Sequence, residues 1–320
     1  MVTLSKKKIK GRMYTYVSKS IRLPDGRVTT ITKNLGKNTK TVKNIQDKYK
    51  EYFTEKEKEL NALWAAKKYK NGYVFSEEEI RKIEQMRVSY KYLIKKLDKT
   101  RLKDVFDRFT VNFTYDSNAI EGNSLTLKDV AIVIFDKQSI PGKSLREIYE
   151  TRNSRMVVDL ILKKKFSINR LDIIKIHRFL MKDIDERTGY KKIPNVIYRM
   201  EKEVHTTPPE LVEKEMTNLI EWFSASENLH PLERAAIFHG RFERIHPFED
   251  GNGRVGRFLI NVILVNSGYP PLIIRKTQRA SYLSALSAFD SGHEDTLKRL
   301  TLQAFKNTYR KFFEVYVKYA

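Results

Sequence analysis

The most informative part of the chain is His246-Pro247-Phe248-Glu249-Asp250-Gly251-Asn252-Gly253-Arg254-Val255-Gly256-Arg257. It separates two helical patterns, so it predicts a loop that ends at a helix N-terminus near Asn252. Gly251 and Gly253 permit positive φ and close backbone approach, which lets successive N–H groups turn toward one anion. Arg254 and Arg257 are three residues apart and therefore share one helix face beside that anion. Several fixed donors at one point favour a polyphosphate as the ligand.

Two other side chains of this loop indicate chemistry. Asp250 lies among the positive donors, where a carboxylate repels phosphates unless a cation bridges them, and this indicates Mg²⁺. His246 comes before the glycines, and its ordinary pKa near 6.5 suits acceptance of a proton from a hydroxyl, a role worth roughly 10²–10⁴-fold in rate. Phe248 is interpreted as an apolar side chain that anchors the loop.

The stretch resembles the signature of Fic-domain proteins, His-Pro-Phe-x-Asp/Glu-Gly-Asn-Gly-Arg-x-x-Arg, and every fixed position matches. The resemblance covers residues 110–300 approximately. It implies a mainly α fold, in which a Fic-type helical core carries a β-hairpin flap. It also implies an Mg²⁺-dependent protein adenylyltransferase, which transfers AMP from ATP to a Ser, Thr or Tyr hydroxyl of a protein and releases pyrophosphate.

The resemblance assigns a role to each residue of the loop. His246 is the expected general base and Asp250 the expected Mg²⁺ ligand. The α-phosphate is expected at Asn252 and at the backbone amides of Gly251 and Gly253. Of the two arginines, Arg254 is expected to bind the β-phosphate and Arg257 the γ-phosphate. The base of the nucleotide is not readable from the sequence, so a transferase that uses another nucleotide stays open.

A second motif resembles the inhibitory motif of the family, Ser/Thr-x-x-x-Glu-Gly/Asn. It reads Ser117-Asn118-Ala119-Ile120-Glu121-Gly122-Asn123, and Ser117 and Glu121 share one helical face because they are four residues apart. The resemblance implies that Glu121 pairs with Arg257 and occupies the place of the γ-phosphate. It also implies the class whose inhibitory helix precedes the core. An ordinary helix end capped by Gly122 is the simpler alternative, and removal of AMP from a target stays open.

Outside these motifs the sequence predicts three regions: a basic β-hairpin module (1–40), a charged helical connector (41–109) and the Fic catalytic domain with its inhibitory helix (110–320). Within the module, residues 9–35 predict a strand, a turn and a strand. The module resembles one found ahead of some prokaryotic Fic proteins, so we expect a prokaryotic source. Residues 189–209 predict the flap, and Ile197 and Tyr198 are candidates for docking a target segment.

Charge indicates a further class of partner. The chain has 62 Lys and Arg against 39 Asp and Glu, a net charge of +23. Residues 1–50 carry 14 of these bases and only Asp25 and Asp47 as acids. This balance favours polyanions and predicts contact with nucleic acid through residues 1–50. A nucleic-acid-binding regulator with a nucleotide-sensing site is therefore the rival function, and lysines that merely aid solubility are the simpler reading.

Composition excludes several other classes. The chain has no cysteine, which excludes a disulfide framework, thiolate catalysis and a Cys-ligated metal. The longest apolar run, Phe258 to Val265, is far shorter than the roughly 20 residues that cross a bilayer. No secretory signal is recognisable, so we expect a cytoplasmic protein without membrane contact. The identity of the target protein stays open, and the chain itself is one candidate. Association with a second copy also stays open.

Overall fold

The computed structural model describes residues 2–37, 44–187, 189–199 and 202–316. The chain divides into two compact units, one formed by residues 1–71 and 76–89 and the other by residues 72–75 and 90–320. The predicted start of the helical connector, residues 41–43, lies outside the described residues.

The first unit contains a three-stranded antiparallel sheet in the order β1 (Val2–Ile9), β2 (Arg12–Arg22) and β3 (Val28–Lys37). The sequence predicts only two strands here, and that prediction is wrong because β1 is a third. Its lysine run has low strand propensity, so the pairing with β2 determines its conformation. Lys10 and Gly11 have φ of 45° and 75°, the positive values that a two-residue hairpin turn requires.

Alternate residues of β2 are buried against the helical part of the same unit. Val17 and Ile21 are 0% and 3% exposed, and the Lys19 ammonium lies 3.3 Å from the Glu57 carboxylate. The helices of this unit are α1 (Ile45–Lys48), α2 (Lys50–Lys68) and residues 77–89 of α3 (Glu77–Lys96). The covered face of the sheet therefore packs on a helix, as a marginal small sheet requires.

The second unit is mainly helical and confirms the predicted fold class. Its longer helices are α4 (Lys99–Ile120), α6 (Leu145–Leu162), α7 (Arg170–Leu180), α8 (Pro209–Ala225), α9 (Pro231–Ile245), α10 (Asn252–Asn266), α11 (Arg279–Asp290) and α12 (Glu294–Tyr309). The apolar run Phe258–Val265 makes α10 buried on all sides, and this helix packs against α4, α6, α7 and α9. The core therefore fixes the start of α10, which carries the second half of the His246–Arg257 motif.

Shorter elements complete this unit. They are α5 (Leu127–Ala131), the strands β4 (Val196–Arg199) and β5 (Lys202–His205), a 3₁₀ turn (Lys276–Gln278) and π-helical turns (Ile132–Asp136 and Arg310–Glu314). The antiparallel pair β4–β5 confirms the predicted hairpin, although residues 200 and 201 of the predicted flap lie outside the described residues. Capping boxes start α5 at Thr126 and α6 at Ser144.

Candidate functional site

The loop that joins α9 to α10 is held by its own side chains. His246 ends α9 in the left-handed conformation at φ 52°, and Gly251 has φ 81° just before α10 begins. The Asn252 side chain accepts a hydrogen bond from the Phe248 N–H at 2.8 Å and donates one to the Phe248 carbonyl at 2.7 Å. Because this amide is engaged within the loop, a phosphate would meet the backbone N–H groups that open α10.

Phe248 anchors the loop to the core of the second unit. Its ring is fully buried and stacks on His177 of α7, with ring centroids 3.9 Å apart and an angle of 5° between the planes. The Nε2 atom of His177 lies 3.1 Å from the Asp250 carbonyl. Burial lowers the pKa of His177 to about 4, so this imidazole is neutral at pH 7. His177 therefore supports the loop.

Arg257 makes the ion pair that the inhibitory motif implies. Its Nη2 atom lies 2.7 Å from Oε1 of Glu121 and donates to the Ser117 carbonyl at 2.8 Å, while Nε donates to the Ser117 hydroxyl at 3.1 Å. Burial opposes the charged form, but the Glu121 carboxylate outweighs it and raises the pKa of Arg257. The helix α4 thus supplies both a carboxylate and a carbonyl to one buried cation.

Gly253 is the reason that the Glu121 carboxylate can lie against the first turn of α10. A Cβ atom at this position would lie 2.3 Å from Oε1 of Glu121 and 3.1 Å from Nη1 of Arg257. A contact of 2.3 Å is not tolerated, so any larger residue at position 253 would displace the carboxylate. The glycine therefore serves the ion pair as well as the backbone turn.

Arg254 is buried like Arg257 but faces a different set of acids. Its Nη1 atom lies 3.2 Å from Glu150 of α6, and its Nη2 atom lies 3.8 Å from Oδ1 of Asp250. Arg146, one turn before Glu150, donates to Oδ2 of Asp250 and lies 3.2 Å from Glu150. Arg146 and Glu150 were not identified from the sequence, since no local pattern links α6 to a loop about a hundred residues away.

Asp250 is the loop carboxylate that lies beside Arg254 and Arg146. Its side chain is 38% exposed. Burial raises its pKa, but Arg254 and Arg146 outweigh that effect and the net pKa is lowered. Within residues 2–37, 44–187, 189–199 and 202–316, no group of three or more His, Asp or Glu side chains is arranged to hold a metal. A single ionised carboxylate beside a phosphate site fits Mg²⁺, which takes one or two protein carboxylates and completes its shell with phosphates and water.

His246 lies at the mouth of the loop and is half-buried. Its Nδ1 atom is 3.4 Å from the Glu243 carbonyl. A carbonyl only accepts, so Nδ1 carries the proton in this contact, and Nε2 is the basic nitrogen of the neutral ring. This tautomer suits a general base directed at a substrate hydroxyl.

The predicted residues come together around one cavity of about 560 Å³. Its lining includes every predicted site residue except Ser117, namely Glu121, Ile197, Tyr198, His246, Asp250, Gly251, Asn252, Gly253, Arg254 and Arg257. Ser117 is 2% exposed and lies behind Arg257. Arg279, Tyr282 and Leu286 of α11 form part of the same lining.

The flap hairpin is tied to the loop at its base. The Asn195 side chain donates to the Phe248 carbonyl at 2.9 Å, and the Lys191 backbone N–H donates to the Pro247 carbonyl at 2.8 Å. The Lys191 ammonium donates to Asn195 and to the Thr206 hydroxyl, both at 2.6 Å. Burial lowers the pKa of Lys191 to about 8. These three residues therefore join both ends of the hairpin to the His-Pro-Phe segment.

Comparison with known families agrees with this geometry. The family model described as "Fic/DOC family" matches residues 167–264, which include the flap, α9, the loop and most of α10. Residues 167–264 are therefore similar to Fic domains. A Fic-domain signalling protein from Bacteroides thetaiotaomicron superposes with a TM-score of 0.65 and 26% identity, over 74% of this chain and 95% of that chain. A Fic family protein from Desulfovibrio desulfuricans gives 0.63 and 27%, over 77% of each chain.

One relative of this chain is named for an activity. "Protein adenylyltransferase Fic" from Nematostella vectensis is 36% identical over 185 residues, which are 56% of this chain and 43% of the relative. The chain thus spans less than half the length of that curated relative. The relatives come from animals and the two solved structures from bacteria, so the comparisons leave the expected prokaryotic source as a prediction. Among the described helices, none combines the length and the apolar character needed to cross a membrane.

Proposed function

We propose that this Fic-domain protein transfers AMP from ATP to a Ser, Thr or Tyr hydroxyl of a protein. The observation that carries the proposal is the arrangement of one histidine base and two buried arginines, one helical turn apart, around a single cavity. Two fixed guanidinium groups beside a helix N-terminus suit a polyphosphate, and the histidine suits an attacking hydroxyl. The relatives named protein adenylyltransferase support the same reaction.

In the proposed reaction, Nε2 of His246 takes the proton of the target hydroxyl, and the oxygen attacks the α-phosphorus of ATP. The bond from that phosphorus to the bridging oxygen of pyrophosphate breaks, so AMP is transferred and pyrophosphate leaves. The backbone N–H groups at Gly251 and Gly253 bind the α-phosphate oxygens as negative charge develops. Asp250 would hold Mg²⁺, which would supply neutralisation of the phosphate charge.

Arg254 and Arg257 are proposed to bind the β- and γ-phosphates. In the present state the Glu121 carboxylate occupies the face of Arg257 that the γ-phosphate needs, at 2.7 Å from Nη2. ATP then binds only in a non-productive pose, and the chain inhibits itself. Arg146, which hydrogen-bonds Asp250, has to move aside when a phosphate-bound cation reaches that carboxylate.

The target segment is proposed to dock on the flap. Strand β4 pairs only with β5 in the part of the chain that the structure describes, so its other edge is available to an extended peptide. Tyr198 is 71% exposed, and Ile197 is half-buried at the cavity wall. Backbone pairing with β4 would place a target hydroxyl over the loop that Asn195 joins to the hairpin.

The experiment measures incorporation of α-phosphate-labelled ATP into the protein itself and into a cell lysate, with Mg²⁺. We expect little label with the native chain, strong label with Glu121→Ala, and none with Glu121→Ala/His246→Ala. Labelled GTP, CTP and UTP test the nucleotide. If Glu121→Ala transfers no nucleotide to any acceptor, the proposal fails.

Removal of AMP from a modified protein is the second candidate function. It is favoured by one observation, that the Glu121 carboxylate is 40% exposed within the same cavity and can orient a water. Release of AMP from a labelled acceptor by the native chain, lost in Glu121→Ala, would identify this activity.

A further inference from the structure

The sheet of the first unit has one face that its own helices leave open. Lys7, Tyr14 and Lys37 lie opposite one another across β1, β2 and β3, and therefore on one face. Tyr16 lies on the same face, two residues along β2. The Lys7 ammonium lies 5.6 Å from the centre of the Tyr16 ring, and the Lys37 ammonium lies 5.9 Å from that of Tyr14. We call these four residues the outer face of the sheet.

The opposite face is unavailable to a partner because it forms the interior of the unit. Val17 and Ile21 are buried there, and Lys19 of the same face pairs with Glu57 of α2. Neighbours of the outer face on β3, such as Thr30 and Thr32, are exposed. A ligand that binds a face of this sheet therefore binds the outer face.

The sheet has the charge of a polyanion-binding surface. Its strands carry the bases Lys6, Lys7, Lys8, Arg12, Lys19, Arg22, Lys33 and Lys37, and they carry no Asp or Glu. The nearest acid in sequence, Asp25, lies in the turn before β3 and accepts hydrogen bonds from Arg27 at 2.7 Å and from the Trp64 indole at 2.8 Å. The positive field of the sheet is therefore not neutralised from within its strands.

We propose that the outer face binds single-stranded nucleic acid. Two tyrosine rings two residues apart on a strand, with lysines beside them, provide stacking platforms for bases and cations for the phosphates between them. A duplex keeps its bases stacked inside and presents only phosphates and groove edges, so the rings would have no base plane to contact. An acidic peptide would use the lysines but not the rings. The inference concerns residues 2–37 and does not depend on the transfer proposed for the cavity.

The test uses the full chain and fluorescence polarisation at about 50 mM salt. The probes are a fluorescein-labelled 20-nucleotide single strand, its duplex and a polyglutamate peptide. Tyr14→Ala/Tyr16→Ala removes the rings, and Tyr14→Phe/Tyr16→Phe retains them. Lys7→Gln/Lys37→Gln removes two charges from the outer face, and Lys163→Gln/Lys165→Gln removes two exposed charges from the second unit as the matched control.

We expect the single strand to bind most tightly of the three probes. The alanine pair should weaken it by roughly 5- to 150-fold for each ring, and the phenylalanine pair should retain binding. The Lys7/Lys37 variant should reduce the slope of log K against log salt by about 1.4, since each single-strand phosphate contact contributes about 0.7. The Lys163/Lys165 control should leave affinity and slope unchanged.

Four results would overturn the proposal. They are no binding of the single strand, equal binding of the duplex with no effect of the tyrosine variants, equal binding of polyglutamate, and equal losses from the two lysine pairs. The last result would mean that net charge alone attracts the probe.

Discussion

Replacing Glu121 by alanine should raise the rate of AMP transfer at saturating ATP by roughly 10- to 150-fold. The partner guanidinium of Arg257 is 2% exposed, whereas the Glu121 carboxylate is 40% exposed, and the two groups are 2.7 Å apart. A hydrogen bond to a charged group contributes about 1.5–3 kcal/mol, and each 1.4 kcal/mol is a tenfold change in an equilibrium. Release of this contact should increase the productive fraction of the ATP complex by the corresponding factor.

Glu121→Gln should have a smaller effect, because the amide keeps an oxygen that accepts from Arg257. Arg257 stays charged, so the amide keeps a weaker charge-assisted hydrogen bond, and we expect the free energy lost to be about 1–1.5 kcal/mol. We therefore expect activation of roughly 5- to 15-fold for the glutamine variant. We expect the transfer rate to fall in the order alanine variant, glutamine variant, native chain. Since glutamine keeps the size of the side chain, activation by Glu121→Gln shows that loss of the ion pair, and not loss of side-chain bulk, raises the rate.

The assay is the initial rate of label incorporation from α-labelled ATP, with thermal unfolding of each variant as the check of its fold. Asp116→Ala is the matched control. Asp116 lies on α4 like Glu121 and pairs with Arg275 at 2.7 Å, but it does not line the cavity. This variant removes an ion pair of equal length from the same helix without touching Arg257.

Two outcomes would refute this reasoning. One is a rate for Glu121→Ala within twofold of the native rate, which would mean that the pair with Arg257 does not limit transfer. The other is equal activation by Asp116→Ala, which would mean that loosening of α4 matters and the specific contact does not.

Three further predictions concern stability and metal binding. Gly256→Ala should lower the free energy of unfolding by about 1–2 kcal/mol in urea, because the added Cβ would lie 2.7 Å from His239. This overpacking outweighs the gain of up to about 1 kcal/mol in helix propensity. An unchanged urea midpoint would contradict the prediction. Burial lowers the pKa of His177 to about 4 in the folded protein, whereas the ordinary value of 6.5 applies to the unfolded chain. The stability contributed by the neutral imidazole is therefore complete above pH 6.5 and is lost as the pH falls toward 4. Urea unfolding between pH 7 and 4.5 should therefore show a shallower loss for His177→Gln, and parallel curves would refute it. Arg146→Ala should strengthen Mn²⁺ binding in the presence of α,β-methylene ATP by up to about fivefold in paramagnetic resonance titrations. The reason is that this half-exposed arginine pairs with the Asp250 carboxylate and competes with the metal for it. Weaker binding would show that Arg146 helps to hold the metal instead.

The local chemistry of the loop was predictable from the sequence because each feature depends on neighbouring residues. Gly251 has the positive φ that its type suggests, and Gly122 ends α4 at φ 100° as a left-handed cap. The capping box at Ser144 and Glu147 that starts α6 is likewise a local pattern of residues three apart. Spacing also places Arg254 and Arg257 on one face, and both are buried together.

Contacts between distant segments were not predictable. Nothing near Asp250 in sequence indicates that Arg146 of α6 would donate to it. Helix α2 shows the same limit, since the apolar Leu63 is 42% exposed. Glu57 of the same helix is only 5% exposed, because it pairs with Lys19 of β2. A long-range partner decides burial in each case.

The attachment of the flap has a consequence for how this protein can change its targets. The hydrogen bonds from the hairpin base to the loop come from Lys191 and Asn195, and Thr206 bonds to both of these residues. All three residues lie outside the two strands. Residues of Val196–Arg199 and Lys202–His205 can therefore be exchanged without touching those bonds. The sequence of the two strands, and with it the proposed choice of target, can therefore diverge while the hydrogen bonds that hold the loop are inherited unchanged.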